Sequence, residues 1–413
     1  MNEDRKSSSV VSLESVRHPS VRSAGYVRDD QASGSFVFDT VLERMQRVAL
    51  VSSEIFGRTS TTLDDWLTGS RALVVVSPTV NKLYGQLISA YFEEKIPNSE
   101  LMVLDVSERT KSIDVAIQVC ERADLIGLGR TEPMIAIGGG VVSDVCGVAA
   151  ALYRRGVPRI NIPTTLVGLI DAGIGCKTAV NHGGRKSAIG AFHPAEKVIL
   201  FQGFLATLPQ RHLSNGIAEI TKLAVVRDAA LFALLETNTV ELLENGFQEP
   251  ADAATTLLTR SVHGMLEELA DNPFEQHHYR RKVDFGHTFS PHWEVVSGHS
   301  ILHGEAVALD IALSTSLATL LGCLTEEAHD RILSVLVAAG LNVVWRHTDT
   351  EALCDSLESV VAQRDGNLHL VVPSEIGKCL FLERDVVSRR LVSEALKRLE
   401  AFSMRARLES DRS

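Results

Sequence analysis

The chain has 413 residues, 45 % apolar and 23 % charged. That is enough for two or three domains with a large buried core, and it excludes wholesale disorder, collagen and small disulfide scaffolds. With 41 Lys and Arg against 52 Asp and Glu the net charge is −11, which argues against a nucleic-acid partner but leaves room for a basic pocket that takes a small phosphorylated ligand.

Residues 1–33 are polar and read as a flexible N-terminal tail, as do residues 401–413 at the other end. The opening MNEDRKSSSV lacks the basic-then-apolar order of a signal peptide, no apolar run reaches membrane-span length, and the six cysteines are scattered without a CxxC pair. A cytoplasmic protein with no membrane partner is expected. Over 34–200, short β-branched runs (Ala72–Val76, Leu101–Leu104, Met134–Ile137, Ile160–Ile162) alternate with helix-period segments (Leu83–Glu94, Ile113–Ala123). This pattern predicts an α/β domain with a mostly parallel sheet. Over 201–400 long helical segments dominate: Ala229–Glu244, Ala251–Ala270, Glu305–Leu321 and Glu326–Ala339. An α-helical second domain is expected, with a ligand cleft between the two.

Gly138-Gly139-Gly140-Val141-Val142-Ser143-Asp144 follows the run Met134–Ile137 and opens a helical segment. Three glycines let backbone N–H groups approach a pyrophosphate at a helix N-terminus, although the spacing is not GxGxxG and a plain tight turn fits equally well. Asp144 is placed to accept from a ribose or substrate hydroxyl. Further on, Asp171, Lys177 and Lys186 lie in a glycine-rich, otherwise apolar stretch. Lysines so placed suit a phosphate or carboxylate, the alternative for Lys186 being a surface loop. Glu219 and Lys222 share a helix face, and His287 and His303 are each followed by small or hydroxyl residues. One carboxylate and two imidazoles suit a catalytic metal, but without an HExxH spacing they read equally well as satisfied core residues. His277 and His278 read as a polar loop.

In this order the motifs resemble the dehydroquinate synthase-like sugar phosphate cyclases. The likeness spans about residues 70–380 and rests on GGGVVSD, IPTTLVGLIDAGIGCKTAVN, FLATLPQRHLSNGIAEITK, VDFGHTFSP and HGEAV. It implies an NAD-binding α/β domain, a metal-binding helical domain and a homodimer. Carried over by motif, Glu219, His287 and His303 are implied as ligands of one divalent metal, zinc or cobalt. Asp171, Lys177, Lys186, Lys222, Arg280 and Asp284 are implied around the substrate. Gly139, Gly140, Val141, Asp144, Thr164, Thr165, Glu108, Lys111, Phe204, Thr207 and Leu208 are implied at the NAD site. Within the family the chain resembles the sedoheptulose 7-phosphate cyclases, because dehydroquinate synthases typically carry Asn where this chain has Asp284 and His where it has Pro291.

That branch implies transient oxidation at C5 by NAD, loss of phosphate from C7, return of the hydride and an intramolecular aldol closure. The product is 2-epi-5-epi-valiolone or its C5 epimer 2-epi-valiolone. Three positions depart from the usual pattern: Ser77 for Asp, Ser187 for Asn, and Gln363 for His. The alternatives are a 3-dehydroquinate synthase, a metal-dependent polyol dehydrogenase that consumes NAD, and a non-catalytic binding protein on the same scaffold.

Overall fold

The computed structural model describes residues 21–30, 35–51, 54–57, 60–64, 71–275, 280–363 and 368–410. Strands β1 (Val21–Asp30) and β2 (Ser35–Arg44) pair antiparallel along their whole length. The expected N-terminal tail therefore ends earlier than residue 33: residues 21–30 satisfy their backbone groups in a hairpin ladder.

The α/β domain follows. Its strands are β3 (Arg47–Val51), β4 (Ala72–Val76), β5 (Ser99–Val103), β6 (Met134–Gly138), β7 (Arg159–Pro163) and β10 (Lys197–Phe201). They form one parallel sheet in the order β3-β10-β7-β6-β4-β5. Helices α1 (Pro78–Lys95), α2 (Ile113–Leu125) and α3 (Gly140–Leu152) cover it. Alternation along β4 explains why both faces are covered. Ala72, Val74 and Val76 pack with Ile88, Tyr91 and Phe92 of α1, while Leu73 and Val75 pack with Ala116 and Val119 of α2 and Val145 of α3. Ser77 has a structural use here: its Oγ accepts from the Val80 N–H at 3.2 Å and caps α1 ahead of Pro78.

Between β7 and β10 a two-stranded hairpin, β8 (Lys177–His182) and β9 (Arg185–Phe192), stands apart from the main sheet. His182 pairs with Arg185, so the loop is Gly183-Gly184, both at positive φ (56° and 74°). A two-residue turn that needs two left-handed residues selects glycine at both.

The second domain is built on α4 (Gln210–Arg227), α5 (Ala229–Glu244), α6 (Ala251–Ala270), α7 (Ser290–Val296), α8 (His303–Leu320), α9 (Glu326–Ala338), α10 (Thr350–Gln363) and α11 (Arg389–Ser410). Helix α8 is buried from Ala306 to Ala318 and lies against α4 at the centre of the largest apolar core. The domain is not wholly helical: β11 (Leu370–Glu375) and β12 (Lys378–Leu382) form a hairpin that packs on α8 and α4. Nor is 401–410 a tail, because α11 runs through it. Phe402 is 8 % exposed and sits 6.1 Å from the His329 ring in T-shaped contact. Gln363 ends α10, but its side chain lies outside the described residues, as do His277 and His278.

Candidate active site

Helix α4 brings Glu219 to the interface of the two domains because Gly216 lets it approach closely. A Cβ on Gly216 would lie 2.3 Å from the Leu166 side chain of the α/β domain. The first turn of α8 is seated the same way, with Gly304 against the Asn215 backbone of α4. These approaches set Glu219 between two histidines. Its Oε1 is 3.1 Å from His303 Nε2 and 3.7 Å from His287 Nε2, and its Oε2 is 2.7 Å from Lys222 Nζ. Lys222 also donates to Asp171 Oδ2 at 3.1 Å. Glu219 and Lys222 are 1 % and 2 % exposed.

The donor set fits a divalent cation. Ligand atoms bound at ~2.0–2.1 Å to a tetrahedral ion lie ~3.3 Å apart, close to the two separations from Glu219 to the imidazoles. Both Glu219 oxygens are buried, and what they face is the two imidazoles and the Lys222 ammonium. Each imidazole is held through its other nitrogen. His287 Nδ1 bonds the Phe285 carbonyl at 3.1 Å, and His303 Nδ1 bonds Glu294 Oε1 at 3.0 Å. Such partners fix the tautomer and aim the Nε2 lone pairs at the centre. Among the described residues, Glu219, His287 and His303 are the group whose ligand atoms all lie within 4.8 Å of one another.

Charge is shared tightly here. Burial alone would raise Glu219, but Lys222, His287 and His303 outweigh it and hold the carboxyl well below its usual range. Burial, reinforced by the Lys222 charge, brings His287 down to about 4. Burial also opposes charge on His303, yet its bonds to Glu219 and Glu294 raise it to about 9. Burial likewise works against the Lys222 ammonium, and Asp171 and Glu219 overcome it, so its pKa is raised.

A cavity of about 630 Å³ opens over this cluster and is lined by Asp144, Asp171, Lys177, Lys222, Asp284 and both histidines, among others. Lys177 is half exposed and pairs with Glu275. Lys186 lies on β9, beyond the glycine turn, and donates to Glu294 Oε2 at 2.5 Å. Next to it Ser187 faces the cavity with φ +51° and donates its N–H to Asn181 Oδ1 at 2.8 Å. Asn tolerates that backbone region better than Ser, so the departure at 187 carries some local strain.

The glycine-rich turn sits at the C-terminal end of β6. From β4 the chain runs outward to β5, then returns to the opposite side of β4 for β6, which makes the β4–β6 crevice the switch point of the sheet. Gly139 is the N-cap of α3, followed by Gly140 and Val141. A Cβ on Gly139 would sit 3.1 Å from Thr165 Cγ2, and one on Gly140 3.2 Å from the Ala172 Cβ. The crevice therefore has room for backbone N–H groups to meet a pyrophosphate and little for side chains, and the residues fit a dinucleotide. Around it, Lys111 donates to Asp144 Oδ2 at 2.8 Å and lies 3.5 Å from Glu108 Oε2. Thr164 is buried after β7, and Thr165 Oγ1 accepts from the Gly168 N–H. Phe204 and Thr207 occupy the turn Gln202–Thr207, with Leu208 next to it; Thr207 Oγ1 is 2.7 Å from Tyr84 Oη, and Phe204 meets the Tyr84 ring edge-on.

Two of the residues expected around the substrate do not line the cavity: Lys186, which stands beside it against Glu294, and Arg280. Arg280 is 58 % exposed and pairs with Glu383 at 3.0 Å, whereas Arg281 lines the cavity, pairs with Glu275 and reaches Asp284 Oδ1 at 2.5 Å. Two residues that sequence reasoning passed over support the ligands. Glu294 joins His303 to Lys186, and Asp310 of α8 accepts the backbone N–H groups of Phe289 and Ser290 at 2.5 and 3.0 Å. Asp310 thereby ties the segment after His287 to the helix that begins with His303. Its signal was a fully buried carboxylate within an apolar helix.

The 3-dehydroquinate synthase N-terminal family matches residues 101–215, and the corresponding C-terminal family matches 216–359. A 2-epi-5-epi-valiolone synthase from an Actinoplanes species is 44 % identical over 352 residues, covering 83 % of this chain and 88 % of the relative. One from Streptomyces hygroscopicus subsp. jinggangensis is 42 % identical over 339 residues, 81 % of each chain. The solved structure of the 2-epi-5-epi-valiolone synthase ValA from that organism, with NAD+ and Zn2+ bound, superposes with a TM-score of 0.82 at 41 % identity, over 87 % of this chain and 98 % of that one.

Proposed function

The chain belongs to the 3-dehydroquinate synthase family, and from that premise we propose that it is a sedoheptulose 7-phosphate cyclase, a phosphorus–oxygen lyase that makes 2-epi-5-epi-valiolone and phosphate. The observation that carries this reading is a cavity lined by both histidines of the Glu/His/His cluster and by Lys177, Lys222 and Arg281, beside the glycine turn that opens α3. Identities of 42–44 % with 2-epi-5-epi-valiolone synthases support the heptulose branch, and Asp284 is in keeping with the motif resemblance to it.

Glu219, His287 and His303 would hold zinc or cobalt, and the crevice at Gly139 and Gly140 would hold NAD. Bound there, the nucleotide supplies hydride acceptance and return at C5, and the metal supplies polarisation of the C5 oxygen. The chain's own residues do the rest. Lys177, Lys186 and Arg281 bring positive charge to the C7 phosphate and steady it as it leaves. Lys222, already paired with Asp171 and Glu219, is placed to hold a proton near the C5 oxygen. On this reading no net NADH would accumulate. The same reading carries a cytoplasmic homodimer, checked by sedimentation velocity.

The test is phosphate release in the presence of NAD+ and Zn2+ or Co2+. Release from sedoheptulose 7-phosphate and not from 3-deoxy-arabino-heptulosonate 7-phosphate is expected. The reverse would overturn the assignment in favour of a 3-dehydroquinate synthase, and steady NADH accumulation at 340 nm would favour a dehydrogenase. NMR of the product reads the C5 configuration, with the 2-epi-valiolone epimer as the other outcome.

A further inference from the structure

Glu294 is 4 % exposed and its two oxygens serve two different elements. Oε1 takes His303 Nδ1 at 3.0 Å, at the start of α8 in the helical domain. Oε2 takes Lys186 Nζ at 2.5 Å, on the β8–β9 hairpin of the α/β domain, 108 residues away in sequence. One buried carboxylate thus spans the cleft between a histidine aimed at the metal position and a lysine beside the cavity.

We propose that Glu294 is a positioning residue that orients His303 and Lys186 at once, so that loss of its charge weakens zinc and phosphate binding together. A buried carboxylate on the far nitrogen of a metal-binding imidazole fixes the tautomer and raises the basicity of the ligand. A lysine on a hairpin remote from the main sheet has four rotatable bonds, and the second oxygen of Glu294 removes that freedom before a phosphate arrives. The inference rests on the cyclase reading only in taking Lys186 as a phosphate-binding group.

The test uses the full-length chain loaded with NAD+, with Zn2+ and inorganic phosphate as separate probes and no turnover, so a failed cyclase assay leaves it standing. Glu294→Gln should lower zinc affinity, read by chelator competition, by about 10–100-fold. At saturating zinc its phosphate affinity should still be about tenfold below wild type, the effect of losing a charged hydrogen bond. Lys186→Met should show the phosphate defect while losing less zinc affinity than Glu294→Gln, because the Glu294 carboxylate still holds His303. Wild-type zinc affinity in Glu294→Gln, or wild-type phosphate affinity at saturating zinc, would overturn the proposal. Should Glu294→Gln fail to fold by circular dichroism, Glu294→Asp keeps the charge but is one methylene too short to span both partners. It should weaken at least one of the two bindings, and wild-type affinity for both would equally overturn the proposal.

Discussion

The glycine crevice and the metal cluster prepare for their ligands in opposite ways. The crevice is continuous in sequence and made of backbone: β6, the Gly138–Gly140 turn and α3 follow one another, and β6 is paired along both edges, with β4 and β7. The cluster is discontinuous and made of side chains. Glu219 comes from the middle of α4, His287 from the loop before α7 and His303 from the first turn of α8, and tertiary packing alone brings them together. A backbone site depends on what is left out, the Cβ atoms. A side-chain site depends on what supports it, here Glu294, Asp310 and the Phe285 carbonyl.

The largest expected effect breaks the side-chain half while sparing the other. His287→Ala should lose bound zinc, measured by metal analysis after dialysis, and drop phosphate release by about 10³-fold, the loss of several kcal/mol of charge stabilisation. NAD+ affinity and the circular dichroism spectrum should stay near wild type, because the crevice lies on the other domain. Activity retained in the metal-stripped variant would sink the metal assignment. Gly139→Val is the converse. Its side chain would enter a gap already 3.1 Å from Thr165 Cγ2, and NAD+ affinity should fall at least about tenfold, roughly 1.4 kcal/mol, with zinc affinity unchanged. If zinc affinity fell as well, the two halves would not be independent.

This contrast also explains what could be read from the sequence. Strand β4 coincides with the apolar run Ala72–Val76, and α5 and α6 with the segments Ala229–Glu244 and Ala251–Ala270, since local periodicity and burial agree there. The glycine turn was legible for the same reason. The ligand triad was legible only through its motifs, because spacing alone does not reveal which helices pack. Glu294 and Asp310 act through contacts made after folding, so their local sequence names neither partner. The tail reading of 401–410 followed its polar composition, whereas Phe402 and Ala406, one helical turn apart, face the core. At Arg280-Arg281 two identical neighbours diverge, one to solvent and one to the cavity, ahead of the 3-10 turn Lys282–Asp284, and composition does not distinguish them.

That pair gives the next prediction, intermediate in size. Arg281→Ala should raise KM for the phosphorylated substrate about tenfold, as expected for one charged hydrogen bond. Arg280→Ala should change it less than about twofold, because an exposed ion pair such as that with Glu383 contributes ~0–1 kcal/mol. The opposite ranking would show that Arg280 turns inward when substrate binds.

A further effect is read in stability rather than in binding or turnover: the response of the α/β half to acid. His193 is buried beside the hairpin; its Nε2–H donates to the Val157 carbonyl at 2.9 Å, and its Nδ1 accepts from Arg44 Nη1 at 3.2 Å. Burial, then the Arg159 charge, bring its pKa down from 6.5 to about 4. Between those values the unfolded chain binds more protons than the folded one, so stability rises with pH. The contribution is fully present above about pH 6.5 and is lost as the pH falls toward the folded value. Its size is on the order of 3 kcal/mol, from two to three pKa units at 1.36 kcal/mol each. A proton added to Nδ1 would face the Arg44 guanidinium, so the bond that closes this corner would become a repulsion. Melting temperatures of the wild type and of His193→Gln, followed from pH 7.5 to 4.5, should therefore converge as the pH falls, the glutamine variant starting lower and losing less. Parallel curves would mean that His193 titrates normally and that the acid response of the α/β half lies elsewhere.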